Sequence, residues 1–552
     1  MTPGGPPPGP PAGDKEIHMR LKAPLALALL AFTLAVPALA QQPPQAQPAQ
    51  NPPGTLELSL EDCVVRALKD NLGVAIQVLG PQISSQGLNL AQEKFFPTVS
   101  LSARTQKSEN AAYSYLDSAG ASTITQSQNY NFLSVSQALP TGGTLSLGFT
   151  GSRTTTNTRG ITIDPRYGTT LSFNLSQPLL RNFGFKTSRR DILVASNNLG
   201  VSEENLKSTL MTTVYNVESA YWNLVYSIAN LDVRQQSLKL AQDLLEKNQR
   251  SVEIGTLAPM EVVSAQAEVA TREADLIQAE TQIQSNVDQL KLLLNITGEE
   301  DKAVTSIAPK DKPTYTLREV NLEEAIAAAI QNRSELKIAQ LGLNSDHLNL
   351  NYARNQMLPD LSLSAGYSSP GIDGTRIFYD GDPLLGVIDH TIPGGMGGAL
   401  KQTAKFQYPN WNLGLTFNLP LANVFSRAAL AQARLNLRQD MLDLENQKDQ
   451  IYVEIKNAVR AVESNYKRII AYTKARELAE QKLAAEEEKL RVGMSTNYLV
   501  LSYQRDLATA RISELNAIVS YQVSIAALER SEGTNLAAMN IKISDYVPYL
   551  MK

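Results

Sequence analysis

Apolar residues recur along this chain with two different periods. Leu206, Leu210, Val214, Val217, Tyr221, Leu224, Ile228 and Leu231 step by fours and threes, and Leu238, Leu245 and Val252 continue at sevens. That is a heptad seam, the pattern of a helix packed lengthwise on other helices. Ile451, Ile455, Ala458, Val462, Tyr466 and Ile469 repeat it in the second half. Proline is absent between Thr187 and Ile254, and Gly200 is the only interior glycine. The spacing therefore predicts one helix on the order of 100 Å long. Such a helix does not fit inside a compact globule; it belongs to an extended coiled-coil structure.

The second period is two. In "WNLGLTFNLP", Trp411, Leu413, Leu415, Phe417 and Leu419 alternate with Asn412, Gly414, Thr416 and Asn418. Leu171, Phe173 and Leu175 alternate with Ser172, Asn174 and Ser176 in the same way, and "TLSLGF" and "LSLSAGY" share the texture. One apolar face and one face of small neutral polar residues fit a barrel with lipid outside and water inside. An ordinary half-buried antiparallel strand shows the same alternation.

The two textures occur twice. "LSLEDCVVRALKDN" (58–71) returns as "VNLEEAIAAAIQNR" (320–333), and "LNLAQEKFFPTVSLSA" (88–103) returns as "LNLNYARNQMLPDLSLSA" (348–365). Pro97 and Pro359 lie roughly 262 residues apart (359 − 97), far beyond the period of about 20–50 residues of a solenoid. The expectation is an internally duplicated protomer. Its first repeat is 55–297, with strands in 98–176 and a hairpin tip at 255–259. A connector, 298–319, leads to the second repeat, 320–533, with strands in 361–418 and a tip at 493–497. Residues 534–552 form a tail. The tips match: "RSVEIGTLAPMEVVSAQ" (250–266) aligns with "EKLRVGMSTNYLVLSYQ" (488–504), glycine on glycine. A catalytic loop need not occur twice, whereas a helix corner in a duplicated hairpin must. Gly255 and Gly493 suit the left-handed position that ends a helix, and Pro259 suits the first turn of the next.

The N-terminus adds a compartment. From Met19, Arg20 and Lys22 form a charged region, Ala23 to Val36 an apolar one, and Ala38-Leu39-Ala40 a cleavage site. This is a secretory signal, so 1–40 are an extension plus a cleaved signal peptide, and the Pro/Gln-rich 41–54 a tether. The apolar region is too short to span a bilayer as a helix. Two to four strands in the first half and two in the second are too few for a lipid-facing barrel, which starts at eight. An open sheet edge in hydrocarbon is prohibitive. Other copies must complete the barrel, and three would supply 12 strands at four each or 18 at six each.

Composition removes other functions. Fifty basic against 54 acidic residues leave no nucleic-acid footprint. Cys63 is the only cysteine, and His18, His347 and His390 lie far apart, so neither a disulfide framework nor a metal motif is expected. "IPGGMGGALK" (392–401) lacks phosphate-loop spacing and is expected as a loop between strands, with His390 in that loop and His347 on a helix surface. Glu486 to Lys489 suits a solvated or lumen-lining helix face, and Ser264 lacks a GxSxG elbow. Trp222 is expected in helix packing and Trp411 at a membrane boundary. No enzyme, cofactor or metal is expected.

The segment 321–367, with "NLEEAIAAAIQN", the following "EL" and "LPDLSLSAGY", resembles the repeat signature of TolC-like outer-membrane efflux proteins. "LSQPLLRNFG" (175–184) and both tips are similar to that family as well, and the resemblance runs in order from 56 to about 533. It implies an α+β membrane protein: a homotrimeric outer-membrane β-barrel continued by a long periplasmic α-helical coiled-coil barrel. It further implies a passive conduit of a tripartite efflux or type I secretion system, served by a periplasmic adaptor and an inner-membrane pump. Gly255, Thr256, Leu257, Gly493, Met494 and Ser495 would then dock the adaptor. Two departures stand out. Where some members carry closely spaced aspartates after the second tip, this chain has Leu499 and Ser502, so the expected periplasmic gate is Tyr498, Leu499 and Ser502. An extra hairpin, 134–152, also stands between the usual two strands of the first half. The alternative function is a secreted or surface coiled-coil protein, such as an adhesin, without channel activity.

Overall fold

The computed structural model describes residues 54–112, 123–297, 304, 306–383 and 386–542. The signal peptide, most of the tether, much of the connector's start and residues 543–552 of the tail lie outside them. Chain order opens with strand β1 (Thr55–Leu58) and helices α1 (Leu60–Asp70) and α2 (Leu72–Glu93). Four strands follow: β2 (Thr98–Ala111), β3 (Thr123–Ala138), β4 (Thr144–Thr156) and β5 (Ile163–Pro178). One short turn, α3 (Phe185–Ser188), precedes the 64-residue α4 (Arg190–Glu253), which folds back as α5 (Pro259–Leu293). The second half runs β6 (Ser306–Pro309), α6 (Leu322–Asn332), α7 (Ser334–Asn355), β7 (Asp360–Asp380), β8 (Val387–Ile392), α8 (Met396–Ala404) and β9 (Asn410–Asn418). It closes with the 68-residue α9 (Val424–Arg491), α10 (Asn497–Glu532) and α11 (Asn535–Ala538).

Length matching explains the helical part. α4 and α9 are each about 100 Å long at 1.5 Å per residue. The return helices α5 and α10, with 35 and 36 residues, cover only part of them. The 22-residue helices α2 and α7 continue the cover end to end. Asn71, which caps α2, donates its amide to the Leu293 carbonyl at the end of α5 (2.9 Å). Arg333, before α7, donates to the Ser531 carbonyl near the end of α10 (3.2 Å). Orphan carbonyls of one helix are thus satisfied by the start of the next. The connector is pinned by two tyrosines: Tyr221 donates to the Asp311 carboxylate (2.8 Å), and Tyr521 to the Thr316 carbonyl (2.8 Å).

The seam is occupied as spaced from Leu206 to Leu224, all fully buried at the seam positions. Beyond that it moves. Ile228 is exposed, and Val233, Ser237, Ala241, Leu244 and Asn248 are buried in place of Leu238, Leu245 and Val252. The second seam follows its spacing more closely: Ile451, Ile455, Val462 and Ile469 are buried, with Ala458 and Tyr466 packed beside them.

The sheet is antiparallel in the order β2-β3-β4-β5-β7, and β7, the longest strand, then pairs β9 along its first half and the short β8 along its last. The extra hairpin is therefore not an appendage: β3 and β4 are paired along nearly their whole length between β2 and β5. Its turn is built into the helix junction. Gly184 donates to the Thr141 carbonyl (3.0 Å), Ser188 donates to the Pro140 carbonyl, and a Cβ on Gly142 would meet the Asn182 carbonyl oxygen. One face carries Val99 and Leu101, Leu133 and Val135, Leu145, Leu147 and Phe149, then Leu171, Phe173 and Leu175. It continues with Leu361 and Leu363, and ends with Leu413, Leu415 and Phe417, in lateral register. The other face carries Ser100, Ser134, Ser146, Gly148, Ser172, Ser364, Gly414 and Thr416.

Glu218 on α4 is 4% exposed, and its Oε1 has no hydrogen-bond partner among the described residues. Burial, with the nearby Glu529 carboxylate, pushes its pKa up to about 7. The cost of ionising it in the folded state is absent below the ordinary value of 4.5, grows as pH rises, and is complete above about 7. Glu218→Gln should therefore raise stability by on the order of 1–3 kcal/mol at pH 8 and leave it nearly unchanged at pH 4. Unfolding curves at the two pH values check this.

Candidate functional site at the helix-hairpin tips

Both tips fold for the same local reason. At the end of α4 the Gly255 amide donates to the Val252 carbonyl (2.9 Å) and the Thr256 amide to the Ser251 carbonyl (2.9 Å). At the end of α9 the Gly493 amide donates to Leu490 (3.1 Å) and the Met494 amide to Lys489 (2.8 Å). This glycine-terminated cap requires the left-handed backbone found at Gly255 (φ 76°) and Gly493 (φ 79°). Open space surrounds both glycines, so conformation alone selects them. The next helices start differently. Pro259 opens α5 at its first turn, whereas the Thr496 side chain accepts from the Leu499 amide (3.4 Å) at the start of α10.

Of the six tip residues expected to dock a partner, Thr256, Leu257, Gly493 and Ser495 line one cleft of about 820 Å³ between the two hairpins. Gly255 and Met494 stand outside it, and Met494 is 78% exposed. Around them Ile254, Met260, Val492 and Tyr498 are exposed, giving both tips an apolar surface. The three expected gate residues share the first turns of α10: Tyr498 is 74% exposed, Leu499 is at the edge of exposure, and Ser502 is half-buried. They do not line the cleft.

Glu486 corrects the sequence expectation. It is buried rather than solvated, accepting from the Ser495 hydroxyl (2.6 Å) and from Lys489 (3.1 Å). These two bonds hold its carboxylate below the usual range. It thereby ties the second tip back to its own helix. His390 is likewise a strand residue of β8, stacked on Phe378 at 4.5 Å, while His347 is on an exposed helix face as expected.

A buried polar cluster above the tips escaped the sequence reasoning. Arg272 on α5 donates to the Ser237 carbonyl of α4 (2.6 Å), to Gln504 (3.4 Å) and the Leu501 carbonyl (3.4 Å) of α10, and to Glu268 (3.1 Å). Arg505 of α10 donates to the other Glu268 oxygen (2.6 Å). One guanidinium therefore binds three helices from both hairpins. Burial pushes the Glu268 carboxyl up, but the Arg505 and Arg272 hydrogen bonds outweigh it and hold the group below its usual range. The available signal was a charge on a seam: Arg272 follows Ala265 and Val269 and precedes Ala279, all buried. Aligning the two tips glycine on glycine places Ala510 opposite it, so comparing the tips conceals it.

Among the described residues no group of three or more His, Cys, Asp or Glu is disposed to hold a metal, and no helix is long and apolar enough to cross a membrane.

Comparison with known proteins agrees with the geometry. A family model described as outer membrane efflux protein matches residues 144–295 and 325–534. Outer membrane protein TolC of Escherichia coli (strain K12) is 24% identical over 369 residues, which cover 64% of this chain and 69% of that protein. The probable efflux pump outer membrane protein TtgC of Pseudomonas putida is 22% identical over 329 residues, covering 58% of this chain and 61% of TtgC, less than two thirds of its length. The solved outer membrane channel CmeC of Campylobacter jejuni superposes with a TM-score of 0.60 at 15% identity, over 88% of this chain and 90% of that one. For the outer-membrane channel OprN the TM-score is 0.62 at 15% identity, over 86% and 90%. At such identities the superpositions show a shared fold.

Arg272→Met should cost about 3 kcal/mol, because it leaves the partners of a buried charge unsatisfied. Arg505→Met, which removes an exposed partner, should cost under about 1 kcal/mol. Thermal melts of the two variants test the difference; equal losses would contradict the role given to Arg272.

Proposed function

Because this chain belongs to the outer membrane efflux protein family, we propose that it is the passive outer-membrane channel of a tripartite efflux or type I secretion system. It is an outer-membrane protein of the Gram-negative type, with helices extending into the periplasm. Three copies close one barrel, and their hairpins continue it as a periplasmic tube built on an internally duplicated protomer. An inner-membrane pump supplies energy and a periplasmic adaptor bridges pump and tube at the tips.

The observation that carries this reading is the sheet. Its strands β2, β3, β4, β5, β7 and β9 alternate in direction, with apolar side chains on one face and small polar ones on the other. Among the described residues, β2 and β9 each pair on one side only. β2 runs away from the helices and β9 runs back toward them, so β9 of one copy is antiparallel to β2 of the next. Six strands per copy favour 18 strands over 12, and barrels of about 16–18 strands leave an aqueous channel. Exposed aromatic residues flank the apolar belt, with Phe96, Phe183 and Phe425 at the helical end and Tyr367, Tyr408 and Trp411 at the far end. Such girdles mark membrane boundaries.

At the tips, the apolar residues around the 820 Å³ cleft suit an adaptor's hairpin, with Gly255, Thr256, Leu257, Gly493, Met494 and Ser495 as the docking set. Tyr498, Leu499 and Ser502 form the gate, closed by apolar packing around the three-fold axis. The Arg272 cluster keeps the two hairpins of each protomer together behind it.

Membrane extraction and planar bilayers test the proposal together. The protein should require detergent for release, and Tyr498→Ser with Leu499→Ser should raise basal conductance severalfold over the parent. Release into plain buffer, or no conductance from any variant, would refute it and favour a surface coiled-coil protein.

A further inference from the structure

One part of the sheet's apolar face is covered rather than bare. The segment expected as a loop at 392–401 leads into helix α8 (Met396–Ala404), which lies against β5 and β7 just past the aromatic row at the far end of the apolar belt. The covering is close. A Cβ on Gly371 would stand 2.1 Å from the Ala399 carbonyl oxygen, and one on Gly398 would stand 1.8 Å from the Asp373 carboxylate. Thr403 meets Thr169 hydroxyl to hydroxyl at 2.7 Å, and Ser369 donates to the Thr403 carbonyl (2.9 Å). The Ile372 amide donates to Gln402 (3.0 Å), and the Gly395 amide to Asp373 (3.3 Å). Immediately after the helix, Phe406 packs on Tyr367 with ring centroids 5.9 Å apart, and Tyr367 is paired across the sheet with Trp411.

Ala399 and Thr403 face the sheet, buried, while Leu400, Lys401, Ala404 and Lys405 face outward. Lys401 and Lys405 are four apart and so project from one side of the helix. Neither belongs to an ion pair among the described residues. The acids of the same region are directed elsewhere. Asp373 accepts from the start of α8, Asp389 pairs with His390 (2.8 Å), and Asp380 lies at the far end of β7.

We propose that the outward face of α8 is a docking surface for phosphate-bearing lipid head groups of the outer leaflet, held by Lys401 and Lys405. The proposal rests on the reading of the sheet as a membrane barrel. A girdle of Tyr and Trp fixes the boundary between hydrocarbon and head groups, and the two lysines stand directly beyond it. Leu400 and Ala404 lie alongside them, toward which acyl chains can pack, as on an interfacial amphipathic helix. Seated rigidly by Gly371 and Gly398, the lysine pair binds lipid phosphate without ordering a loop.

Trp411 is 77% exposed at this boundary, while Trp222, the other tryptophan, is 9% exposed within the helical core. The full chain carrying Trp222→Phe therefore reports the boundary alone. It is reconstituted at low ionic strength into phosphatidylcholine vesicles containing brominated phosphatidylcholine or brominated phosphatidylglycerol, and quenching of Trp411 gives the relative affinity of the two lipids. The anionic lipid should be preferred severalfold, up to roughly fivefold per lysine (about 1 kcal/mol each near an anionic surface). Lys401→Gln with Lys405→Gln should bring the ratio close to one without reducing quenching by the neutral lipid. Equal affinities in the parent, or a preference that survives the double substitution, overturn the proposal while leaving the barrel intact. Absence of quenching by either lipid overturns the barrel reading, and the proposal with it.

Discussion

A peptide group facing hydrocarbon without a hydrogen-bond partner costs several kcal/mol, and in the proposed membrane barrel two strands of each copy would present a row of such groups. β2 is paired on one side by β3 and β9 on one side by β7; among the described residues their other edges are open. With an apolar face directed outward, no conformation of a single copy removes that cost, because six strands curl into no closed lipid-facing barrel. Closure by identical copies does remove it. An even strand number makes the meeting edges antiparallel, so the same interface repeats around a rotation axis. The proposed oligomer would thus be a consequence of the backbone rather than an addition to it.

The helices follow from the same axis. Chain leaving β5 and β9 continues, through α3 in the first case, into α4 and α9, each too long to be covered by its return helix alone. Stacking α2 on α5 and α7 on α10 gives every turn of the long helices a neighbour. Shared construction does not make the halves equivalent. Arg272 has no counterpart in the second half, and Glu486 with Ser495 braces only the second tip. A channel whose hairpins are braced differently can move one relative to the other, and that asymmetry lies next to the residues assigned to the gate.

Much of this architecture is legible in the sequence, for physical reasons. Heptad and period-two patterns arise directly from burial on one face, so the long helices and the strands around Leu171–Leu175 and Trp411–Phe417 announce themselves. The tips are legible because a left-handed turn selects glycine. What sequence conceals depends on tertiary contact. The seam beyond Leu224 moves from Leu238 and Leu245 to Ser237, Ala241 and Leu244, since small residues there admit a close neighbour that no periodicity specifies. α8 was hidden because Gly397 and Gly398 read as loop residues; it is held by Gly371 and Thr169 rather than by helix propensity. Glu486 looked solvated because its partner, Ser495, lies across the turn. The extra hairpin was visible, but its place within the sheet depended on pairing with β2 and β5, the strands on either side of it, which alternation alone does not specify.

The central claim, that β9 of one copy pairs with β2 of the next, is most directly tested by cysteine cross-linking. With Cys63 replaced by Ser, the chain has no other cysteine. Single cysteines at Ser100 and at neighbouring β2 positions would be combined in turn with one at Thr416 of β9, and oxidised in native membranes. The account predicts that the paired register gives a ladder of cross-linked species ending at three copies. Single-cysteine controls should stay monomeric on denaturing gels. Absence of any cross-link across the whole register scan, or a ladder ending at two copies, would contradict it.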